Sequence, residues 1–141
     1  MVARTREMSK AEVRARQQHA HSFLGAAKLV KEFGPGDDIV DVANTVGSLA
    51  VLAGIAAADA ISGAALGHRS ASQSHGDAVA LLKSINGGAK LAPHLARLVD
   101  SKTEAQYAPA LLTAGRADAL LTSAQRLVDG MDAFIRALPS P

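Results

Sequence analysis

An arginine and a histidine stand close together at Arg69 and His75, with only Ser70-Ala71-Ser72-Gln73-Ser74 between them. Arginine is a permanent cation whose forked donors match phosphate oxygens. Histidine takes and gives a proton near neutral pH. A short joint of small and polar residues can aim both at one point, a combination suited to phosphate contact and acid–base work. Asp59 is the other informative polar residue. It lies in an otherwise apolar run, and a buried carboxylate requires a partner. Arg69, His75, Lys102 and Tyr107 are candidates for that partner, and a helix end or a hydroxyl would satisfy it equally well.

Other chemistries are poorly supplied. The chain has no cysteine, which excludes disulfides and thiolate sites. His19 and His21 form a His-x-His pair, but on a helix they point to different sides, and no carboxylate set completes a metal site. No Gly-rich phosphate loop is present, and no serine has histidine and acid partners at recognisable spacing. Neither a metal nor a cofactor is expected. Trp is absent and only one Tyr and three Phe occur, so a stacked-aromatic face for single strands is not expected.

The elements that must position these residues are helices. Residues 1–8 read as a flexible basic tail, and over residues 1–16 Arg4, Arg6, Lys10, Arg14 and Arg16 outnumber Glu7 and Glu12. The rest of the chain carries slightly more acid than base, so the net charge of +2 is N-terminal in origin. Ser9 and Glu12 form a capping box for a helix to about Glu32. Gly34-Pro35-Gly36 ends it. Asp37 or Asp38 is expected to cap a second helix running to Leu66, with Gly67 as its stop. Ser74 is the natural N-cap of a third, with Asp77 as a shortened capping-box partner and Ala78, Leu81, Leu82 and Ile85 as its buried stripe. Asn86-Gly87-Gly88 closes it. A fourth spans roughly Ala89 to Glu104, and the last, about Gly115 to Leu138, has the cleanest helical periodicity.

No run alternates like a strand. The expected fold is therefore all-α, a single-domain antiparallel helical bundle of about five helices over residues 9–138. Thr45 to Gly67 is long and apolar enough to cross a bilayer. Its Asp59, its high Ala and Gly content and the lack of aromatic or basic flanks instead suit the central helix of a soluble bundle. No secretory signal peptide is visible. The expectation is a cytoplasmic protein with no membrane partner.

The order of these features resembles the HEPN family (higher eukaryotes and prokaryotes nucleotide-binding domains), in particular its small bacterial members. Ala58-Asp59-Ala60-Ile61 precedes the Arg69–His75 motif, and Gly76-Asp77-Ala78-Val79-Ala80-Leu81-Leu82 follows it. Then come His94-Leu95 and Lys102-Thr103-Glu104-Ala105-Gln106-Tyr107. The similarity covers about residues 12–137. It implies an RNA-binding helical bundle, and for active members a metal-independent endoribonuclease whose site is composite across a homodimer. The associated systems are toxin–antitoxin, phage-defence or RNA-processing, where an antitoxin or operon partner can accompany the protein.

Carried onto this chain, His75 has the acid–base role and Arg69 the phosphate contact. Asp59, Ser70, Lys102 and Tyr107 support them. Cleavage through the RNA's own 2′-hydroxyl needs a base, an acid and positive charge at the phosphate. One copy supplies one such histidine, and a two-fold axis beside the joint would bring the second. Catalytic members usually carry Asn, Asp or His after the arginine, where this chain has Ser70. That departure and the scarce aromatics favour an alternative, a non-enzymatic HEPN-like bundle that binds a nucleotide or a partner protein.

Overall fold

The computed structural model describes residues 4–36, 38–72, 75–102 and 112–139, with His75 represented by its backbone alone. Among these residues the order is β1 (Thr5–Glu7), α1 (Lys10–Phe33), α2 (Val42–Leu66), β2 (His68–Ser70), α3 (His75–Ser84), α4 (Ala92–Asp100) and α5 (Ala114–Arg136). Among the described residues the architecture is an all-α bundle of five helices carrying one two-stranded ribbon.

Helix α1 starts as its sequence requires. The Ser9 hydroxyl accepts the Glu12 N–H at 3.1 Å and the Glu12 carboxylate accepts the Ser9 N–H at 3.2 Å, so the capping box is complete. Val13, Ala20, Leu24 and Ala27 make its buried stripe. Helix α2 is capped by Asp41, whose carboxylate accepts the Asn44 N–H at 3.0 Å. The expected cap was Asp37 or Asp38. Asp37 lies outside the described residues, and Asp38 sits in a turn closed by a Gly36 N–H to Ile39 carbonyl bond of 3.0 Å. That turn delays the helix until Val42.

Helix α2 is the centre of the molecule. It packs against both α1 and α5 and is buried on nearly every side, with Ala, Gly, Val and Ile filling the contacts. It is long and apolar enough to cross a membrane, and 61% of its most apolar window is buried inside the protein. Small residues permit the close approach. A side chain at Gly54 would overlap the Leu98 and Leu127 methyl groups, and one at Gly63 would meet Met8 Sδ and Val13 Cγ2, each at 2.8 Å.

Helix α1 runs antiparallel to α5, since His21 reaches Asp132 and Lys31 reaches Asp118. It also runs antiparallel to α2, where Arg16 meets Asp59. Helices α2 and α5 therefore run in the same direction, and Asn44 near the start of α2 accepts the Leu112 N–H just before α5 at 2.8 Å. The short helices α3 and α4 carry the chain back across the bundle between them. Helix α4 is shorter than expected, beginning after Leu91 with Pro93 in its first turn, where a missing N–H is harmless.

Two expectations fail at the N-terminus. Thr5–Glu7 are not a frayed tail but strand β1, antiparallel to β2, with Thr5 opposite Ser70, Arg6 opposite Arg69 and Glu7 opposite His68. The chain also contains strands, though no alternation announced them. The cause is local. Gly67 takes a left-handed conformation (φ 77°) and ends α2 by donating to the Gly63 carbonyl at 2.9 Å. The extended residues after it need backbone partners, and the N-terminus supplies them. The Met8 N–H reaches the Gly67 carbonyl at 2.8 Å, and the Ala71 N–H reaches Arg4 at 3.0 Å. Met8 is then buried over Gly63, which fixes the ribbon to the core.

Candidate functional site

A cleft of about 240 Å³ opens between α2, β2, α3 and α4. Its polar lining is Asp59, Arg69, Ser70, Ser72 and Lys102, over an apolar floor that includes Ile55, Ala58, Ala78, Leu95 and Val99. Four of the six site residues expected from sequence, Asp59, Arg69, Ser70 and Lys102, thus meet in one place. They come from three separate elements: the last third of α2, strand β2 and the residues after α4. The Tyr107 expectation lies outside the described residues. His75 begins α3, so its backbone stands at the end of the joint, while its side chain lies outside the description.

Short polar contacts hold residues 69–72, the described part of the joint. Arg69 Nη1 donates to the Ser70 carbonyl at 3.1 Å. The Ser72 hydroxyl donates to Asp77 Oδ2 at 2.7 Å, tying the loop to the first turn of α3. Asp77 therefore serves as partner to Ser72, whereas the expected capping partner, Ser74, lies outside the described residues. Arg69 is half-buried, as are Ser70 and Lys102. Pairing by β1 places Arg6 directly across from Arg69. Directly opposed residues project to the same face of an antiparallel ribbon, so two like charges share a side, an unfavourable arrangement on its own.

Asp59 has a partner that sequence reading did not name. Arg16 Nη2 donates to Asp59 Oδ2 at 2.8 Å, across the α1–α2 interface. Burial pushes the Asp59 carboxyl above the ordinary carboxylate value of 3.8. The Arg16 charge and hydrogen bond, and the Arg69 charge, pull it back only in part. Arg16 was grouped with the N-terminal basic residues. The overlooked signal is its position: Val13, Arg16 and Ala20 share one face of α1, so Arg16 is an arginine set into an apolar stripe. Among the lining side chains Arg69 and Lys102 outnumber the Asp59 carboxylate, and Asp77 stands just behind Ser72.

The His19 and His21 side chains point apart. His21 Nε2 contacts Asp132 at 2.9 Å, while His19 Nδ1 lies 3.4 Å from Arg16 Nη1. No group of three or more His, Asp or Glu side chains that could hold a metal ion occurs among the described residues. A larger, more apolar groove of about 830 Å³ lies by Met8, Gly63 and Leu138 and reaches Gly67 at the end of α2. Among the described residues it carries Lys10, Arg14 and Arg136 but no hydroxyl side chain, and none of the site residues that the sequence singles out lines it.

No protein-family model matches the chain, and neither a curated protein nor a solved structure matches it.

Proposed function

We propose that the protein is a HEPN-like RNA-binding protein whose Arg69 cleft takes a backbone phosphate. The observation that carries this reading is the convergence of Arg69 and Lys102 on a cleft with two serine hydroxyls, beside the start of α3. Arginine supplies a bidentate fork, lysine a mobile point charge, and the Ser70 hydroxyl a neutral donor, while the Ser72 hydroxyl is given to Asp77. Asp59 is occupied by Arg16, so it does not neutralise Arg69 through a direct ion pair. A phosphate would also relieve the opposition of Arg6 and Arg69.

The resemblance adds a reaction. His75, at the first turn of α3, takes the 2′-hydroxyl proton or returns one to the leaving oxygen, with Arg69 on the phosphate. A homodimer with two joints facing each other would supply both roles from two copies of His75. Incubating the protein with total RNA in the presence of a chelator tests this. Cleavage that disappears in both His75→Ala and Arg69→Ala, from a protein of twice the chain mass by light scattering, is the expected result. Equal cleavage by wild type and both variants overturns the catalytic assignment. RNA binding without cleavage supports the non-enzymatic alternative, which Ser70 favours.

A further inference from the structure

A second cationic site lies on the far side of α4, along its seam with α5. His94 and Arg97 sit one turn apart on α4, and Ser123 and Arg126 sit one turn apart on α5. Arg97 Nη1 donates to Ser123 Oγ at 3.1 Å, and His94 Nδ1 lies 3.5 Å from the same oxygen. Ser123 is fully buried, so its hydroxyl is a fixed post between the two basic side chains. Accepting from Arg97, it has its own proton to offer to His94 Nδ1, which leaves the imidazole proton on Nε2.

The arginines of the seam are not ion-paired among the described residues, although Asp100 stands one turn beyond Arg97 and Asp129 one turn beyond Arg126. Among the described residues, no carboxylate lies within ion-pair distance of Arg97 or Arg126. The acids of α5 are engaged elsewhere: Asp118 with Lys31, Asp132 with His21, and Asp129 with Gln125. The charged groups acting on His94 are Arg97 on its own helix and Arg126 on α5. Partial burial holds its pKa below the ordinary 6.5, and these two charges lower it further. Like charges gathered on a packed seam leave a potential that an anion would relieve.

We propose that this seam is a second phosphate-binding site, with Arg97 and Arg126 on the phosphate oxygens and the His94 ring N–H as a third donor. It does not depend on the cleft at Arg69, which α4 faces with Leu95 and Val99. The phosphate belongs either to a free polyphosphate or to a phosphodiester backbone.

Calorimetric titration with pyrophosphate and with a single-stranded oligouridylate separates these sources. The variants are Arg97→Gln with Arg126→Gln, and separately Arg69→Gln with Lys102→Gln. Arg97 and Arg126 are exposed, and glutamine keeps a donor for Ser123. The first pair is expected to weaken at least one probe by about tenfold, as the loss of charge-assisted bonds requires. The second pair is expected to leave that binding event in place. Nuclear magnetic resonance of the wild type gives a readout that needs no variant: the His94 pKa rises when the effective probe is added. The inference is overturned if the first pair binds both probes within about twofold of wild type, or if saturating probe leaves His94 unmoved. Loss of all binding in the second pair alone sinks this site and spares the cleft. The reverse pattern spares this site and sinks the cleft.

Discussion

Arg16 Nη2 and Asp59 Oδ2 meet at 2.8 Å, so the acid lining the cleft is held by a helix that the Arg69–His75 motif does not include. The pair is part-buried, with side chains 29% and 14% exposed, which places it between surface and core ion pairs in strength. Arg16→Met leaves the more buried partner charged and alone. It is expected to cost about 2 kcal/mol in urea unfolding. Adding Asp59→Leu to the same chain should recover most of that loss. A single variant as stable as wild type would show that the pair is not a structural tie.

Arg6→Ala separates stability from binding. The substitution removes a like-charge opposition on the β1–β2 ribbon. Thermal unfolding is expected to be unchanged or slightly improved, within about 0.5 kcal/mol. RNA affinity is expected to fall, because Arg6 shares a ribbon face with Arg69. A fall in stability with unchanged affinity would reverse that reading of the ribbon.

His94 gives a pH dependence of definite sign. Its folded pKa lies below the ordinary 6.5 because of burial and the neighbouring Arg97 and Arg126 charges. Between those two values the unfolded chain binds more protons than the native one, so stability rises with pH across that window. Below the folded value the full penalty is present, and above 6.5 this group contributes no pH dependence. Unfolding measured across the window should show a slope in wild type that flattens in His94→Gln. An identical slope in both proteins would contradict the assignment.

Gly54→Val tests the packing that holds α2 against the rest of the bundle. Any added side chain meets Leu98 on α4 and Leu127 on α5. The expected loss is about 1–3 kcal/mol by urea denaturation, typical of overpacking in a tight core. A neutral result would mean that α4 and α5 can yield at this point.

Much of this was legible in the sequence because it is local. The capping box at Ser9, the left-handed stop at Gly67 and the apolar stripe of α5 each depend on residues within a few positions of one another. Asp59, Arg69, Ser70 and Lys102, each singled out in the sequence, line one cleft. What escaped was non-local or too short. Strand β1 has three exposed residues, too few for an alternation to register, and its partner lies some sixty residues away. Arg16 found Asp59 through the register of two antiparallel helices, which periodicity within either helix does not specify. Asp41 displaced the earlier acids as the α2 cap because a turn at Gly36–Ile39 postponed the helix.

The central claim is that Arg69 and Lys102 grip an RNA phosphate. Fluorescence anisotropy of a labelled single-stranded RNA, across a salt series, tests it most directly by comparing wild type with Arg69→Gln/Lys102→Gln. Losing two phosphate contacts should weaken binding by about tenfold or more, and should reduce the slope of log K against log salt by about 1.4. Affinity within about twofold of wild type and an unchanged slope would contradict the account.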